Sequence, residues 1–394
     1  MTDDHQPEPV ASDPARTDLP PSFVHGDLGF QGKSSNIIGL VIKNLFLNIL
    51  TLGFYRFWAR TKVRRFIWNK MEVMGSPLEY SGTGKELFLG FLMVVFVIFL
   101  PYAILSGLMA SSGLLEDATT ALIFKFATYS VIFFLFGVAT YRAQRYRLTR
   151  TRWRSVRTGL TGSSLKYGAW YLLFYLAKVF FGLITPYQNM FLWRMKIQNT
   201  HVGSKFFIFD KDGNSRAVLK SLYKAYLVPG LAFLFLFFGP VIFLFSLVDM
   251  EVLNEITTQE ALNKHFSAVF SSNERLLLFQ VLFVAVGIAI LVFAAAWYKL
   301  RETRILVDLT TFEDLTLSFD AGLSAWFRLF LGNMLIMILT LGIGRPFTQV
   351  RSARFAATHT HINGQLDLAS ITQCADDELS SGEGLADAFD MGAV

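Results

Sequence analysis

The sequence predicts a polytopic α-helical membrane protein. It is read as three internal repeats (strand, glycine-broken apolar helix, basic interfacial helix, strand) linked by two transmembrane hairpins, with a small cytoplasmic β layer. Composition is the first reason: 53% of residues are hydrophobic and 17% charged, against roughly 25% charged in an average soluble domain. Apolar runs long enough to cross a hydrocarbon core of about 30 Å are the second. The third is self-similarity. Thr51 to Gly75, TLGFYRFWARTKVRRFIWNKMEVMG, recurs as Thr340 to Gly364, TLGIGRPFTQVRSARFAATHTHING.

The gap-free register sets Phe23 on Phe312, Phe30 on Phe319, Asn44 on Asn333, Gly53 on Gly342, Arg56 on Arg345, Lys62 on Arg351 and Arg65 on Arg354. A match of this length reads as a repeat. A fainter middle copy sets Gly182 on Gly342, Pro186 on Pro346, Arg194 on Arg354 and Thr200-His201 on Thr360-His361. The repeats are placed at about 23–84, 152–213 and 305–371, and the hairpins at about 87–141 and 222–298.

Residues 1–21 are rich in Asp, Pro and Thr and read as a disordered tail, as do the acidic residues 372–394. The stretch 22–371 is read as one membrane domain. The first apolar run begins near Asn36, so no cleavable signal peptide is expected. The single cysteine, Cys374, offers no disulfide framework and no Cys-based metal site. Short strands are expected at Phe23 to Phe30, Ser76 to Tyr80, Trp153 to Leu160, Lys205 to Phe209, Ile305 to Leu309, Leu315 to Phe319 and Gln365 to Ile371. Asn36 to Leu52 is apolar but marginal in length and breaks at Thr51-Leu52-Gly53. Phe54 to Met71 is too charged for insertion and suits a helix in the interface.

Leu87 to Met109 and Thr120 to Tyr141 form one spanning hairpin, with Glu116 and Asp117 in its loop. Leu222 to Val248 and Leu276 to Tyr298 form the other, with Asp249, Glu251, Glu255 and Glu260 in its loop. Both exit into basic runs: Arg142 to Arg157 after the first, and Lys299, Arg301 and Arg304 after the second. By the positive-inside rule those ends, and both termini, are cytoplasmic. The same bias favours repeat helices that dip in and return over ones that cross. Full crossing would put the acidic second loop in the cytoplasm.

Polar groups within the apolar stretches are the candidates for chemistry. Asn44 and Asn48 share a helix face, and an amide in hydrocarbon needs a partner. The competing reading is glue between helices. With the lysines inside apolar segments and the helix-breaking glycines, the candidate cavity comprises Lys43, Asn44, Asn48, Gly53, Lys178, Gly182, Asn333 and Gly342. A candidate anionic-lipid surface comprises Arg56, Arg60, Lys62, Arg64, Arg65, Arg145, Arg147, Arg194, Arg351 and Arg354. Each such cation near an anionic leaflet is worth about 1 kcal/mol. Plain topology anchoring is the alternative use for them.

No Asp or Glu falls inside the seven apolar stretches, which argues against a proton- or sodium-coupled pump. His201 and His361 occupy matching positions, but Glu72 stands at the corresponding place in the first copy, and no metal site is expected. No nucleophile elbow, metalloprotease signature or phosphate-binding loop occurs. No catalytic residue and no cofactor is expected, and nucleic acid is a poor partner for cations adjoining spans.

Asn44 inside an apolar helix, Thr51-Leu52-Gly53, Trp58, Lys62, Arg64-Arg65, Gly75, and Tyr80-Ser81-Gly82-Thr83-Gly84 opening the next span together resemble the bacterial YjgN-type inner-membrane family. That family carries a domain of unknown function. The resemblance covers roughly Phe23 to Ile371 and implies an inner-membrane location and paired spans, without a reaction. The expected function is a conduit or binding protein for a lipid, amphiphilic or anionic solute, with membrane lipids, anionic ones above all, as partners. The alternative is a non-catalytic membrane scaffold or partner subunit.

Overall fold

In a computed structural model of the 394-residue chain, residues 23–24, 27–180, 182–246 and 274–372 are described. The expected tails, Cys374 and the acidic loop at Asp249, Glu251, Glu255 and Glu260 lie outside the described residues.

The longest helical stretches are those that carry apolar runs of spanning length. α3 (Gly84–Val94) passes through a π-turn at Val95–Phe99 into α4 (Leu100–Ser111), and α5 (Ala118–Thr149) returns. The π-turn stands just before Pro101, which has no N–H to give to a regular helical ladder. Asp117 caps α5 by accepting the amide of Thr120 at 2.7 Å, which holds its carboxyl below the usual range. α8 (Ser215–Ser246) and α9 (Glu274–Asp308) form the second long pair. Four helices, Gly84–Ser111, Ala118–Thr149, Ser215–Pro240 and Leu278–Asp308, are long and apolar enough to cross a membrane. At most 17% of each hydrophobic window is buried, so their outer faces suit lipid.

Three shorter helical hairpins complete the set: α1 (Ile38–Leu50) with α2 (Arg56–Trp68), α6 (Ser164–Phe180) with α7 (Thr185–Ile197), and α10 (Leu323–Leu339) with α11 (Arg345–His359). Two of them turn over through left-handed residues, Leu52 (φ 49) with Gly53 (φ 88) and Leu341 (φ 49) with Gly342 (φ 87). Thr51 and Thr340 cap these turns, donating to Leu47 O at 2.7 Å and Ile336 O at 2.6 Å while accepting from Tyr55 N and Gly344 N.

The strands overturn the expected small β layer. β2 (Leu28–Phe30), β3 (Met71–Val73), β4 (Ser76–Tyr80), β5 (Thr151–Trp153), β6 (Val156–Leu160), β7 (Thr200–Val202), β8 (Lys205–Phe209), β9 (Thr310–Phe312), β10 (Leu315–Phe319) and β11 (Thr360–Asn363) pair consecutively into one antiparallel sheet of ten strands. The two end strands, β2 and β11, come together, so the sheet curls into a near-closed barrel. Asp27 bridges the seam, accepting from Ile362 N at 3.3 Å and contacting His361 Nδ1 at 3.4 Å. A separate pair, β1 (Phe23–Val24) with β12 (Leu366–Asp367), lies beside it.

The division into three repeats is not supported either. Strands pair across the expected boundaries: Leu78 to Tyr80 of the first unit with Thr151 to Trp153, and Phe207 to Phe209 of the second with Thr310 to Phe312 of the third. The middle turn also differs, because Gly182 lies in a 3-10 turn without the left-handed backbone of Gly53 and Gly342. The physical reason for one sheet is edge satisfaction. Separate two- or three-stranded units would leave rows of unpaired N–H and C=O groups, which consecutive pairing removes. The expected strand at Ile305 to Leu309 is instead helical through Asp308, and Gln365 to Ile371 is only the two-residue β12 and a 3-10 turn.

All five helical excursions leave and re-enter the sheet at one edge, that of Phe30, Tyr80, Leu160, Phe209 and Phe319. The opposite edge carries the tight turns, among them Met74-Gly75 (φ 48 and 72) and Arg154-Ser155 (φ 49 and 65). Both are two-residue hairpin turns that need positive φ at both positions.

Candidate functional site

The N-terminal and C-terminal helical hairpins pack together. Ile37 just before α1 and Val41 in its first turn, Val63 and Ile67 of α2, and Val350 and Ala353 of α11 form one buried cluster. The four-residue spacing of Val63 and Ile67 and the three-residue spacing of Val350 and Ala353, either side of the 3.6-residue helical period, set each pair on one helix face. Toward the hairpin tips this packing opens into a cleft of about 220 Å³. Its apolar walls are Val41, Leu45, Ala59, Val63, Ile343 and Pro346, and its polar groups are Asn44, Asn48, Arg56, Arg60, Arg345 and Gln349.

Asn44 is 5% exposed, and neither its amide nitrogen nor its oxygen finds a protein partner. The buried Oδ1 of Asn48, one turn on, is likewise unpartnered. A buried amide without a partner costs about 1–3 kcal/mol, so selection for stability alone disfavours it. Three guanidiniums line the same small volume. Arg56 also stacks over the rings of Phe57 at 4.9 Å and Phe91 at 5.1 Å, which holds that side chain in place.

The structure distributes the sequence candidates unevenly. Asn44, Asn48 and Gly342 meet in the cleft with Arg56 and Arg60. Lys178 and Gly182 line a different pocket of about 680 Å³, with Thr185, Tyr226 and Tyr298 and otherwise apolar walls. Lys43 is exposed and Gly53 faces open space at its turn. Asn333 is glue between helices, donating to Ser352 Oγ at 3.2 Å and accepting from Arg351 Nε at 3.1 Å.

Among the expected lipid-facing cations, Arg64 is buried and donates to Tyr80 OH at 3.3 Å. Arg145 and Arg354 donate to the carbonyls of Gly162 and Gly32. Arg65 reaches Gly82 O at 3.3 Å, Arg194 reaches Gln198 Oε1 at 3.2 Å, and Lys62 binds Tyr55 OH. Arg147 is half-buried beside Lys196. Burial first, and Arg147 second, push the Lys196 ammonium down to about 8, and it sits 5.1 Å over the Tyr167 ring. α2 itself buries Phe57, Ala59, Thr61, Val63, Arg64 and Ile67, so it is a packed helix and not one lying free in an interface.

Sequence reasoning missed Arg345 and Gln349 as site residues. Arg345 was aligned with Arg56, which is the signal that points to it. It also missed Glu302, fully buried near the sheet end of α9, which accepts from Asn189 Nδ2 at 2.7 Å, Tyr298 OH at 2.8 Å and Lys299 Nζ at 2.6 Å. Glu86 plays a similar part in α3, bound by Arg150 at 3.1 Å and by Tyr146 OH. Both carboxylates fall just outside the apolar stretches but within the helices, because the helices run past the hydrophobic segments into the sheet. His201 lies in β7, where its Nδ1 is 2.8 Å from Gly203 O.

A profile of a family described as "Bacterial protein of unknown function (DUF898)" matches residues 25–388. The chain is 28% identical over 149 residues to the inner membrane protein YjgN of Salmonella typhimurium, covering 38% of this chain and 34% of that one. It is 31% identical over 147 residues to YjgN of Escherichia coli O157:H7 and 30% identical over 147 residues to that of strain K12, covering in each case 37% of this chain and 33% of the relative. The chain thus aligns with about a third of the length of these relatives. No solved structure matches.

Proposed function

The chain belongs to the bacterial protein family of unknown function DUF898, and from that premise we propose that this inner-membrane protein binds an anionic amphiphile, its headgroup seated in the cleft between the α1–α2 and α10–α11 hairpins. The observation that carries the reading is Asn44, a buried amide unpartnered by the protein in a cleft lined by Arg56, Arg60 and Arg345. Guanidinium forks and an amide donor suit a phosphate or carboxylate headgroup, and the apolar walls suit the first carbons of its tail.

The hairpin tips set the depth. Leu52 and Leu341 are 90% and 91% exposed, each in a left-handed conformation that a leucine adopts at a cost. Two such apolar tips in water have no rationale, whereas in hydrocarbon they are solvated. The hairpins are therefore re-entrant, dipping from the leaflet on the sheet side. Arg142, Arg145, Arg147 and Arg150 stand at the sheet end of α5, and Lys299, Arg301 and Arg304 at that of α9. By the positive-inside rule the sheet and both termini are cytoplasmic. Binding serves passage or presentation of the amphiphile and requires no reaction.

The test is native mass spectrometry of the full chain released from nanodiscs of mixed phosphatidylglycerol and phosphatidylethanolamine. The expected result is preferential retention of the anionic lipid, reduced about tenfold by the double variant Arg60→Gln with Arg345→Gln. Equal retention by the double variant overturns the reading.

A further inference from the structure

The interior of the curled sheet holds a second space, about 330 Å³, whose wall exposes no polar atom. Thr151, Thr158, Thr200 and Trp153 on that wall are each satisfied by a backbone carbonyl. Thr151 donates to Arg147 O at 2.7 Å, Thr158 to Leu148 O at 2.6 Å, and Thr200 to Lys196 O at 2.9 Å. Trp153 gives its indole N–H to Val73 O at 3.0 Å. What remains facing inward is methyl, aliphatic and aromatic surface from Leu78, Leu148, Phe207, Phe312 and Leu315. Such a wall rejects nucleotides, sugars and ions, because none of their polar groups finds a partner there.

The turn edge of the sheet is covered. Leu366, Leu368 and Ile371 pack against Met74, Trp153 and Phe312, and Ser204 N donates to Thr372 O at 2.9 Å across that end. The other edge is the one from which all four long apolar helices depart. An apolar cavity of roughly 150 Å³ takes a benzene-sized ligand, and this one is about twice that. It is capped on the side away from the spans, and the long apolar helices leave from the other. We propose that the sheet interior binds one alkyl chain drawn from the adjoining leaflet. The site is separate from the arginine cleft and does not depend on it.

Trp153 lines the space and serves as reporter. The full chain is placed in nanodiscs, and brominated phosphatidylcholine or brominated stearic acid is added. Subtracting the emission of Trp153→Phe isolates the reporter, and Trp58, which is 36% exposed, is the control for ordinary contact with lipid. The expected result is loss of at least half the Trp153 emission. Quenching by the phospholipid only, or by the free acid only, identifies the source of the chain. Leu78→Phe, which narrows the space, is expected to restore Trp153 emission in either case, and this second comparison stands if Trp153→Phe fails to fold. Trp153 emission unchanged by both probes, with other tryptophans quenched, overturns the proposal. So does quenching that Leu78→Phe leaves intact.

Discussion

Trp68 donates its indole N–H to the hydroxyl of Thr151 at 2.9 Å, joining the end of α2 to the point where α5 becomes β5. Thr151 in turn donates to Arg147 O at 2.7 Å, so one hydroxyl both closes a long helix and anchors a neighbour. Trp193 and Thr310 make the same connection at 3.3 Å between α7 and the start of β9, with Thr310 donating to Leu306 O at 2.8 Å. Helix and sheet are therefore locked where they meet.

Trp68→Phe removes the donor and keeps most of the apolar area. The expected loss is about 1 kcal/mol, measured by denaturant unfolding in detergent. A neutral result would mean that the bond contributes nothing beyond packing.

Asn44→Leu separates stability from binding. Replacing an unpartnered buried amide with an apolar side chain of similar size is expected to stabilise the fold by roughly 1–2 kcal/mol. The same variant is expected to lose preference for anionic lipid. Destabilisation would show that Asn44 has a structural partner, and unchanged lipid preference would remove it from the site.

Glu302→Leu leaves Asn189 and Tyr298 without their acceptor and frees Lys299. Breaking a buried ionic network from one side costs about 3 kcal/mol, so loss of folded protein in detergent is expected, whereas Glu302→Gln, which retains an acceptor, is expected to be much milder. Equal effects of the two would argue that charge, not hydrogen bonding, is what matters there.

The barrel seam titrates. His361 lies 3.4 Å from Asp27 and 3.2 Å from Asp320, and its hydrogen bonds to them raise its pKa. A histidine whose folded pKa is raised contributes stability that is fully present below its unfolded value, about 6.5. That contribution is lost as pH rises through the higher folded value. The thermal midpoint is therefore expected to fall from mildly acidic to mildly alkaline pH, and His361→Asn to flatten that slope. Parallel slopes for both proteins would remove the seam from the pH response.

Lys196 offers a chemical test of its surroundings. With its pKa down to about 8, it is expected to react with an acylating reagent half-maximally near that pH, ahead of the exposed lysines, as read by peptide mass spectrometry. A midpoint near 10 would contradict the burial that causes the shift.

Much of the helical part was legible in the sequence because hydropathy is local: a run such as Leu87 to Met109 announces itself without reference to anything distant. The break at Leu52-Gly53 was legible for the same reason. The sheet was not. Strands of three residues, such as Met71–Val73 and Thr200–Val202, are too short to show a period of two. Their partners, Phe30 for Met71 and Leu160 for Thr200, lie a whole helical hairpin away in sequence. Nothing local says that ten short strands join into one near-closed ring. The strong match between the two ends of the chain suggested separate copies, whereas pairing runs across their boundaries.

The cleft was half legible. Asn44 and Asn48, four residues apart in an apolar helix, stand out on one side, while their company with Arg345 and Gln349 depends on how α11 packs against α1 and α2. Asn333 aligned with Asn44 yet is satisfied by Ser352 and Arg351, since a side chain's use depends on its neighbours and not on its register.

A headgroup held in the α1–α2/α10–α11 cleft is open to direct observation. A cryo-EM map of the full chain in nanodiscs containing phosphatidylglycerol tests it most directly. Headgroup density is expected within hydrogen-bond distance of the Asn44 amide and at least two of Arg56, Arg60 and Arg345. A cleft closed by protein side chains that satisfy Asn44, in a map that resolves lipid elsewhere, would contradict it.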